Sequence, residues 1–165
     1  MEYLYAPWRD SYVVKKKPTK KGCIFCLQHK DQEDEKNFIL KRFDHCFVVL
    51  NLFPYNAGHL MIIPYRHTAH LNTLTQQARS ELMDATSLST DILKKTLDPD
   101  AFNIGTNVGG KAGGGSIAHH LHIHIVPRWF GDTSFLTTIS DTKPISIDLQ
   151  RIYHQLAAIF QQVNP

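Results

Sequence analysis

Runs of hydrophobic and polar residues divide this chain into short strands. FILKRF (38–43) and CFVVLNLF (46–53) are rich in β-branched and aromatic residues and flank a polar turn, so they predict two neighbouring strands. HLMIIPY (59–65) predicts a third strand, AFNIGTNV (101–108) a fourth and HHLHIHIV (119–126) a fifth. Short strands of this kind are typical of one mainly antiparallel sheet.

Two longer segments carry hydrophobic residues at helical spacing. Residues 76–97 predict a long helix, with Thr75 as its N-cap and Asp98-Pro99 at its end. Residues 147–163 predict a C-terminal helix, whereas the charged run KDQEDEK (30–36) predicts a loop. The expected fold class is therefore α+β: a sheet of about five strands, a long central helix and a C-terminal helix.

Composition narrows the class of protein without naming a function. The 165 residues suit a single domain, which we divide into an N-terminal arm (1–22), a core (23–135) and a C-terminal helical extension (136–165). A net charge of +3 is too small to indicate a nucleic-acid or membrane surface. No apolar run approaches the length of a membrane span, and the first residues lack the apolar core of a signal peptide. We expect a cytoplasmic protein.

The predicted fifth strand holds four of the ten histidines of the chain. Three of them alternate with aliphatic residues: His120, His122 and His124 with Leu121, Ile123 and Ile125. A period of two places these three imidazoles on one face, close enough to share a site. They can hold a metal that activates water, or one imidazole can be a nucleophile that its neighbours orient.

The cysteines bear on this choice. Cys23 and Cys26 have the spacing of two ligands of one tetrahedral zinc, and an odd number of cysteines does not indicate a disulfide framework. Cys46 lies in a predicted buried strand and is a weak candidate ligand. His67 and one end of the histidine run are candidates for the other two ligands. If zinc takes His120, the nucleophile hypothesis is favoured for the remaining pair.

The motif His120-Leu121-His122-Ile123-His124-Ile125-Val126 resembles the signature of the histidine triad (HIT) family. NLFPYNAGHLMIIPYRH (51–67) and NIGTNVGGKAGGGS (103–116) are similar to the family's segments on the N-terminal side of that signature. The resemblance covers roughly residues 20–135. Within the family the chain is most similar to the diadenosine tetraphosphate phosphorylases and related nucleotide hydrolases. The matching pieces are Ala6-Pro7-Trp8-Arg9, GGGS before the triad, Pro127-Arg128-Trp129, Gly131-Asp132 and Phe135.

The resemblance implies a role for each matching residue. His122 would attack the α-phosphorus and His124 would line the phosphate site. The zinc ligands would be Cys23, Cys26, His67 and His120. The remaining substrate-binding positions would be Asn51 for the ribose, and His59, Asn107, Gly114, Gly115 and Ser116 around the phosphates. Gly115 stands where many family members have glutamine, and Ser116 lies four residues before His120 rather than three.

These roles imply an enzyme that cleaves dinucleoside polyphosphates through a nucleotidyl-histidine on His122, with phosphate or water as the acceptor. The resemblance also implies a structural zinc, a small nucleotide as substrate and a homodimer. Two alternatives stay open: a hydrolase of nucleoside phosphoramidates, and a zinc-stabilised nucleotide-binding module that acts through partners.

Overall fold

A computed structural model describes residues 22–113, 116–133, 145 and 147–163. Predictions for residues 1–21, for Gly114 and Gly115 and for residues 134–144 lie outside this part of the chain. The described residues form five strands and three α-helices. The strands are β1 (Ile39–Arg42), β2 (Cys46–Leu50), β3 (Leu60–Pro64), β4 (Ala101–Thr106) and β5 (Ile123–Arg128). The helices are α1 (Ile24–Asp31), α2 (Gln76–Leu97) and α3 (Leu149–Phe160).

The five strands form one antiparallel sheet in the order β1-β2-β3-β5-β4. This sheet, with its long helix and C-terminal helix, confirms the predicted α+β class. Strand β5 lies between β3 and β4, so His124 is held from both sides. Met61 of β3 and Gly105 of β4 are the cross-strand neighbours of His124.

One face of the sheet is covered by α2 and α3. Alternate residues of β2 and β3, among them Val48 and Ile62, pack there with buried side chains of both helices. The bounds of α2 match the predicted helix, and the Thr75 hydroxyl accepts a hydrogen bond from the Ala78 amide at 3.2 Å, as an N-cap should. Its apolar stripe faces the sheet, which is why the spacing of hydrophobic residues predicted it correctly.

The opposite face carries a smaller apolar cluster under α1. Its buried members are Phe25, Ile39, Phe47, Val49, Met61 and Ile63. The sequence did not predict α1, and the loop predicted for residues 30–36 begins only after Asp31. Phe25 is the one fully buried residue of this eight-residue helix, so α1 has no hydrophobic periodicity to detect. Because His124 pairs with Met61, its side chain belongs to this face.

The histidine strand starts later than predicted. Strand β5 begins at Ile123, so only His124 of the three alternating histidines lies within it. The ladder with β3 ends at the pair Ile62–Ile123, two residues before Pro64. Pro64 has no amide hydrogen to donate, and its carbonyl accepts from the His120 side chain instead. Leu121 then bonds to the Thr68 carbonyl, beyond the end of β3.

Candidate active site and metal site

The three alternating histidines divide into two adjacent groups. The rings of His122 and His124 lie 4.7 Å apart between centroids and meet edge-on. The His120 ring lies instead 4.9 Å from that of His67, which follows β3. The sequence placed all three on one face of a strand. The structure gives the pair His122 and His124 one environment and His120 another.

The hydrogen bonds of His122 fix which ring nitrogen is free. Its Nδ1 lies 2.8 Å from the backbone carbonyl of His120, and a carbonyl only accepts, so Nδ1 carries the hydrogen. The neutral ring therefore presents a lone pair at Nε2. The hydroxyl of Thr106 donates to the His122 carbonyl at 2.7 Å and holds the backbone at the same point. This residue has the tautomer that a nucleophilic imidazole needs.

His124 is held by a second buried histidine. The Tyr55 amide donates to Nδ1 of His59 at 3.0 Å, so the hydrogen of the neutral His59 ring is on Nε2. That Nε2–H donates to Nδ1 of His124 at 2.9 Å, which places the hydrogen of His124 on its own Nε2. Asn51 adds a contact of 3.2 Å to His59 Nδ1. His124 can thus donate a hydrogen bond beside the free Nε2 of His122.

Burial keeps the imidazoles of His59 and His124 neutral. Desolvation, with a smaller contribution from the neighbouring histidines, lowers the pKa of His59 to about 3. Desolvation and then His122 lower the pKa of His124 to about 4. His59 is 0% exposed, so its contact with the site passes through His124. At neutral pH both rings act as hydrogen-bonding groups rather than as charges.

The loop that carries His59 is tied to the end of β5. Arg128 holds Asp132 with two bonds, Nε to Oδ2 at 2.6 Å and Nη2 to Oδ1 at 2.9 Å. Asn56 donates to the same carboxylate at 2.9 Å and to the carbonyl of Pro127 at 2.8 Å. This clamp is built from the Arg128 and Asp132 that follow the triad. It supports the site without lying in it.

The glycine-rich loop begins next to His122. Asn107 follows Thr106 directly, and both Asn107 and Ser116 have exposed side chains. Gly110 has a φ of +81°, and a Cβ on Gly113 would lie 2.7 Å from the Val108 carbonyl, so this turn requires glycine. Asn107 thus begins the loop beside the His122 backbone, and both Asn107 and Ser116 are open to solvent. Gly114 and Gly115 lie outside the described residues.

Four predicted metal ligands come together beside this pair. The Sγ atoms of Cys23 and Cys26 and the Nδ1 atoms of His67 and His120 all lie within 4.8 Å of one another. Cys23 is 3.2 Å from His120, and Cys26 is 3.3 Å from His67. Cys46 is buried in β2 away from this group, and desolvation raises the pKa of its thiol.

The chemistry of these four donors fits zinc. Two thiolates and two imidazoles form the Cys₂His₂ set of closed tetrahedral sites, and separations of 3.2–3.6 Å are close to those around one such ion. His120 donates from Nε2 to the Pro64 carbonyl at 2.8 Å, which leaves Nδ1 free toward the sulfurs. Burial lowers the pKa of His120 and favours its neutral form, the form that binds metals.

Several supporting residues were not predicted from the sequence. Pro64 and Tyr55 act through backbone groups, which leave no mark on residue type. Thr106 acts through a hydroxyl in what looks like an ordinary strand. Phe25 lies between Cys23 and Cys26, and its position between two candidate ligands was the available signal of a role near the site.

Comparison with known proteins identifies the family. The sequence profile of the HIT domain matches residues 32–131. The chain belongs to the HIT family. An AP-4-A phosphorylase of Mycobacterium tuberculosis strain CDC 1551 is 38% identical to this HIT protein over 151 residues, which cover 88% of this chain and 77% of the relative. The asymmetrical bis(5'-nucleosyl)-tetraphosphatase of Schizosaccharomyces pombe is 33% identical over 85 residues, which cover 52% of this chain and 46% of that relative.

Solved structures agree on the fold. A zinc-bound histidine triad family protein from Mycobacterium smegmatis superposes on this HIT protein with a TM-score of 0.67, covering 86% of this chain and 94% of that one. The two are 24% identical, so this likeness speaks for the fold. In the described part of the chain, no helix is long and apolar enough to cross a membrane.

Proposed function

We propose that this HIT protein cleaves dinucleoside polyphosphates such as diadenosine tetraphosphate through a nucleotidyl-histidine intermediate on His122, with phosphate or water as the acceptor. The observation that carries the proposal is the buried His122 ring, whose Nδ1–H is bound to the His120 carbonyl and whose Nε2 is free. The M. tuberculosis AP-4-A phosphorylase relative supports the choice of substrate class.

The first step is an attack by Nε2 of His122 on the α-phosphorus. A P–N bond forms as the P–O bond to the rest of the polyphosphate breaks, and the leaving nucleotide keeps the bridging oxygen and the electron pair. A neutral imidazole brings no negative charge toward the anionic phosphates. We assign to His124 the role of donating its Nε2–H to a phosphoryl oxygen.

The second step transfers the nucleotidyl group to the acceptor. An oxygen of phosphate or of water attacks the same phosphorus, the P–N bond breaks, and His122 returns to its neutral form. Phosphate as the acceptor yields a nucleoside diphosphate, and water yields a nucleoside monophosphate. Dividing the reaction in two lets one site use either acceptor.

The substrate-binding positions follow from the same proposal. Asn51 accepts from the Phe53 amide at 3.0 Å and keeps a second lone pair on Oδ1 for a ribose hydroxyl. His59 is assigned to holding His124 rather than to direct phosphate contact, because it is fully buried. Asn107, Gly114, Gly115 and Ser116 are assigned to the phosphates through the loop that begins beside His122.

Zinc is assigned a structural role in this proposal. Cys23, Cys26, His67 and His120 would hold the ion and would tie α1 and the loop after β3 to the start of β5. A Cys₂His₂ site uses all four positions of a tetrahedral ion, so the metal would supply stability and no bound water for the reaction.

A homodimer is the remaining part of the proposal. Strand β4 is at the end of the sheet order, and its Ile104 is 49% exposed. Phe130 is 96% exposed, and its amide donates to Asp100, just before β4. An edge strand beside exposed apolar side chains is suited to pairing with a second copy of the chain. A cytoplasmic location stays a prediction.

Product analysis tests the proposed function. The protein is incubated with diadenosine tetraphosphate, with and without inorganic phosphate, and the nucleotides are separated. ADP plus ATP only with phosphate indicates a phosphorylase, and AMP plus ATP in either case indicates a hydrolase. His122→Ala should lower turnover by at least about a thousandfold, whereas His119→Ala, which alters an exposed neighbour, should not. Turnover by His122→Ala near the normal rate would refute the proposal, and cleavage of phosphoramidates alone would favour the alternative hydrolase.

A further inference from the structure

The ring of Phe25 joins the candidate metal site to the candidate nucleophile. Phe25 lies on α1 between Cys23 and Cys26 and is only 2% exposed. Its ring centroid is 5.5 Å from that of His120, with the planes at 84°, and 5.2 Å from that of His122, at 61°. One phenyl group thus contacts a proposed zinc ligand and the proposed attacking group.

In the described part of the chain, the hydrogen bond and the aromatic contacts of the His122 ring involve His120, His124 and Phe25. Its Nδ1–H bond to the His120 carbonyl selects the tautomer but is a single contact at one edge of the ring. The ring also meets His124 edge-on at 4.7 Å, and the Thr106 bond holds the backbone rather than the side chain. An aromatic edge contact adds a geometric preference to its apolar burial. Phe25 supplies such a contact from the apolar cluster below α1.

We propose that Phe25 is a positioning residue, whose buried ring packs edge-on against His120 and His122 and holds the nucleophilic imidazole in its attacking orientation. This inference rests on the proposed function, since it deepens the role given to His122. It explains why a short helix with one buried residue lies over the site: the segment that carries Cys23 and Cys26 also carries the side chain that orients the nucleophile. In-line attack depends steeply on such orientation.

Phe25→Leu tests this role against a matched control. Leucine keeps most of the apolar volume and removes the flat ring. Phe47→Leu removes a ring that is 0% exposed from the same apolar cluster, where its aromatic contacts are with His29 and Tyr65. Each variant is measured for bound zinc, thermal midpoint, kcat and KM with diadenosine tetraphosphate. Phe25→Tyr, which keeps the ring, is the rescue variant.

We expect kcat of Phe25→Leu to fall by roughly ten- to a hundredfold, while KM and bound zinc match those of Phe47→Leu. Phe25→Tyr should recover most of the lost kcat. Equal kcat values for the two leucine variants would overturn the proposal. Loss of zinc from Phe25→Leu alone would overturn it as well, because the ring would then act only by holding the segment that carries Cys23 and Cys26.

A readout that needs no substrate separates this inference from the proposed function. Long-range ¹H–¹⁵N spectra of the imidazoles report the tautomer of His122 directly. The wild type and Phe47→Leu should show the Nδ1–H form alone. Phe25→Leu should show a mixture of both tautomers, because a ring that is no longer held in place loses its bond to the His120 carbonyl. If the wild type turns over no dinucleotide, the proposed function fails while the spectra still decide whether Phe25 orients the ring. An unchanged spectrum in Phe25→Leu would contradict the inference.

Discussion

His120 and His122 are the same residue two positions apart, yet they present opposite nitrogens. His120 donates from Nε2 to the Pro64 carbonyl and keeps Nδ1 free, within 3.6 Å of both Sγ atoms of the cysteine pair. His122 donates from Nδ1 to the His120 carbonyl and keeps Nε2 free, next to His124. One backbone acceptor for each ring decides which nitrogen it presents: Nδ1 toward the cysteine pair in His120, and Nε2 beside His124 in His122. Two residues of the same type thus differ because each ring binds a different carbonyl.

The two groups also differ in their surroundings. The candidate metal site has an exposed member, His67, and soft thiolate donors. The candidate catalytic group is largely buried and held by neutral hydrogen-bonding groups, with His59 and His124 kept uncharged at neutral pH. A metal site of this kind contributes stability when it is filled, whereas a buried catalytic group costs stability when it must ionise. The two groups should therefore respond differently to metal removal and to pH.

Removing the thiolates should have the largest effect. The double variant Cys23→Ser and Cys26→Ser should lose bound zinc and lower the thermal midpoint by roughly 10 °C or more, because the proposed ion would tie α1 to the sheet. Turnover should fall together with folding. Metal analysis, thermal denaturation and activity on one sample measure this.

The control for the thiolates is Cys46→Ala. It removes a thiol buried in β2 and outside the metal group, so it should keep its zinc. If the double variant stays fully folded but loses all activity, zinc is catalytic and the comparison between the two groups fails.

Acid should weaken the fold through the catalytic group. In the unfolded chain His59 and His124 take up protons near pH 6.5, but in the folded protein their pKa values are about 3 and about 4. Their contribution to the free energy of unfolding is therefore complete above pH 6.5 and is lost as the pH falls toward 4. Each group should lower the free energy of unfolding by up to about 1.4 kcal/mol per pH unit in this range.

Urea unfolding at several pH values measures this slope. His59→Gln removes one titrating ring, so its slope should be smaller than that of the wild type by about one proton. Protonation of the metal ligands affects both proteins alike and cancels in the difference. Equal slopes would show that His59 is not the buried neutral group described here.

The smallest effect concerns the backbone that carries His122. Thr106→Val removes the hydroxyl that donates to the His122 carbonyl and should lower kcat by roughly three- to tenfold with KM unchanged. Thr96→Val removes a hydroxyl that donates to the Ile92 carbonyl at 2.7 Å within α2, and it should leave kcat unchanged. Steady-state kinetics of both variants decide this. Identical values of kcat would show that the Thr106 hydroxyl does not help to position His122.

The sequence predicted the elements whose periodicity reports their burial. Helix α2 begins and ends where the apolar spacing and Thr75 indicate, because one stripe of it faces the sheet. Helix α1 was not predicted, because eight residues with one buried side chain show no hydrophobic periodicity. Strand β5 begins four residues later than the predicted strand, because its pairing with β3 and its pairing with β4 both end at Ile123. That boundary depends on the neighbouring strands, and the spacing of His120, His122 and His124 does not contain it.

The candidate site was predictable as a set of residues but not as a set of contacts. The four metal donors were named from the cysteine spacing and the family resemblance, and the structure brings them together. The tautomers were not predictable, because they depend on the backbone carbonyls of Pro64 and His120 and on the backbone amide of Tyr55. Almost every residue carries such groups, so the residue type does not reveal which of them bind a histidine ring. The roles of the site residues remain proposals.

The proposed nucleotidyl-histidine on His122 can be detected directly. The protein is mixed with an equimolar amount of diadenosine tetraphosphate, quenched with alkali to preserve a P–N bond, digested and analysed by mass spectrometry. We expect one adenylyl group on the peptide that contains His122, located on that residue and absent from His122→Ala. Cleavage of the substrate with no adduct, or with the adduct on another residue, would contradict it.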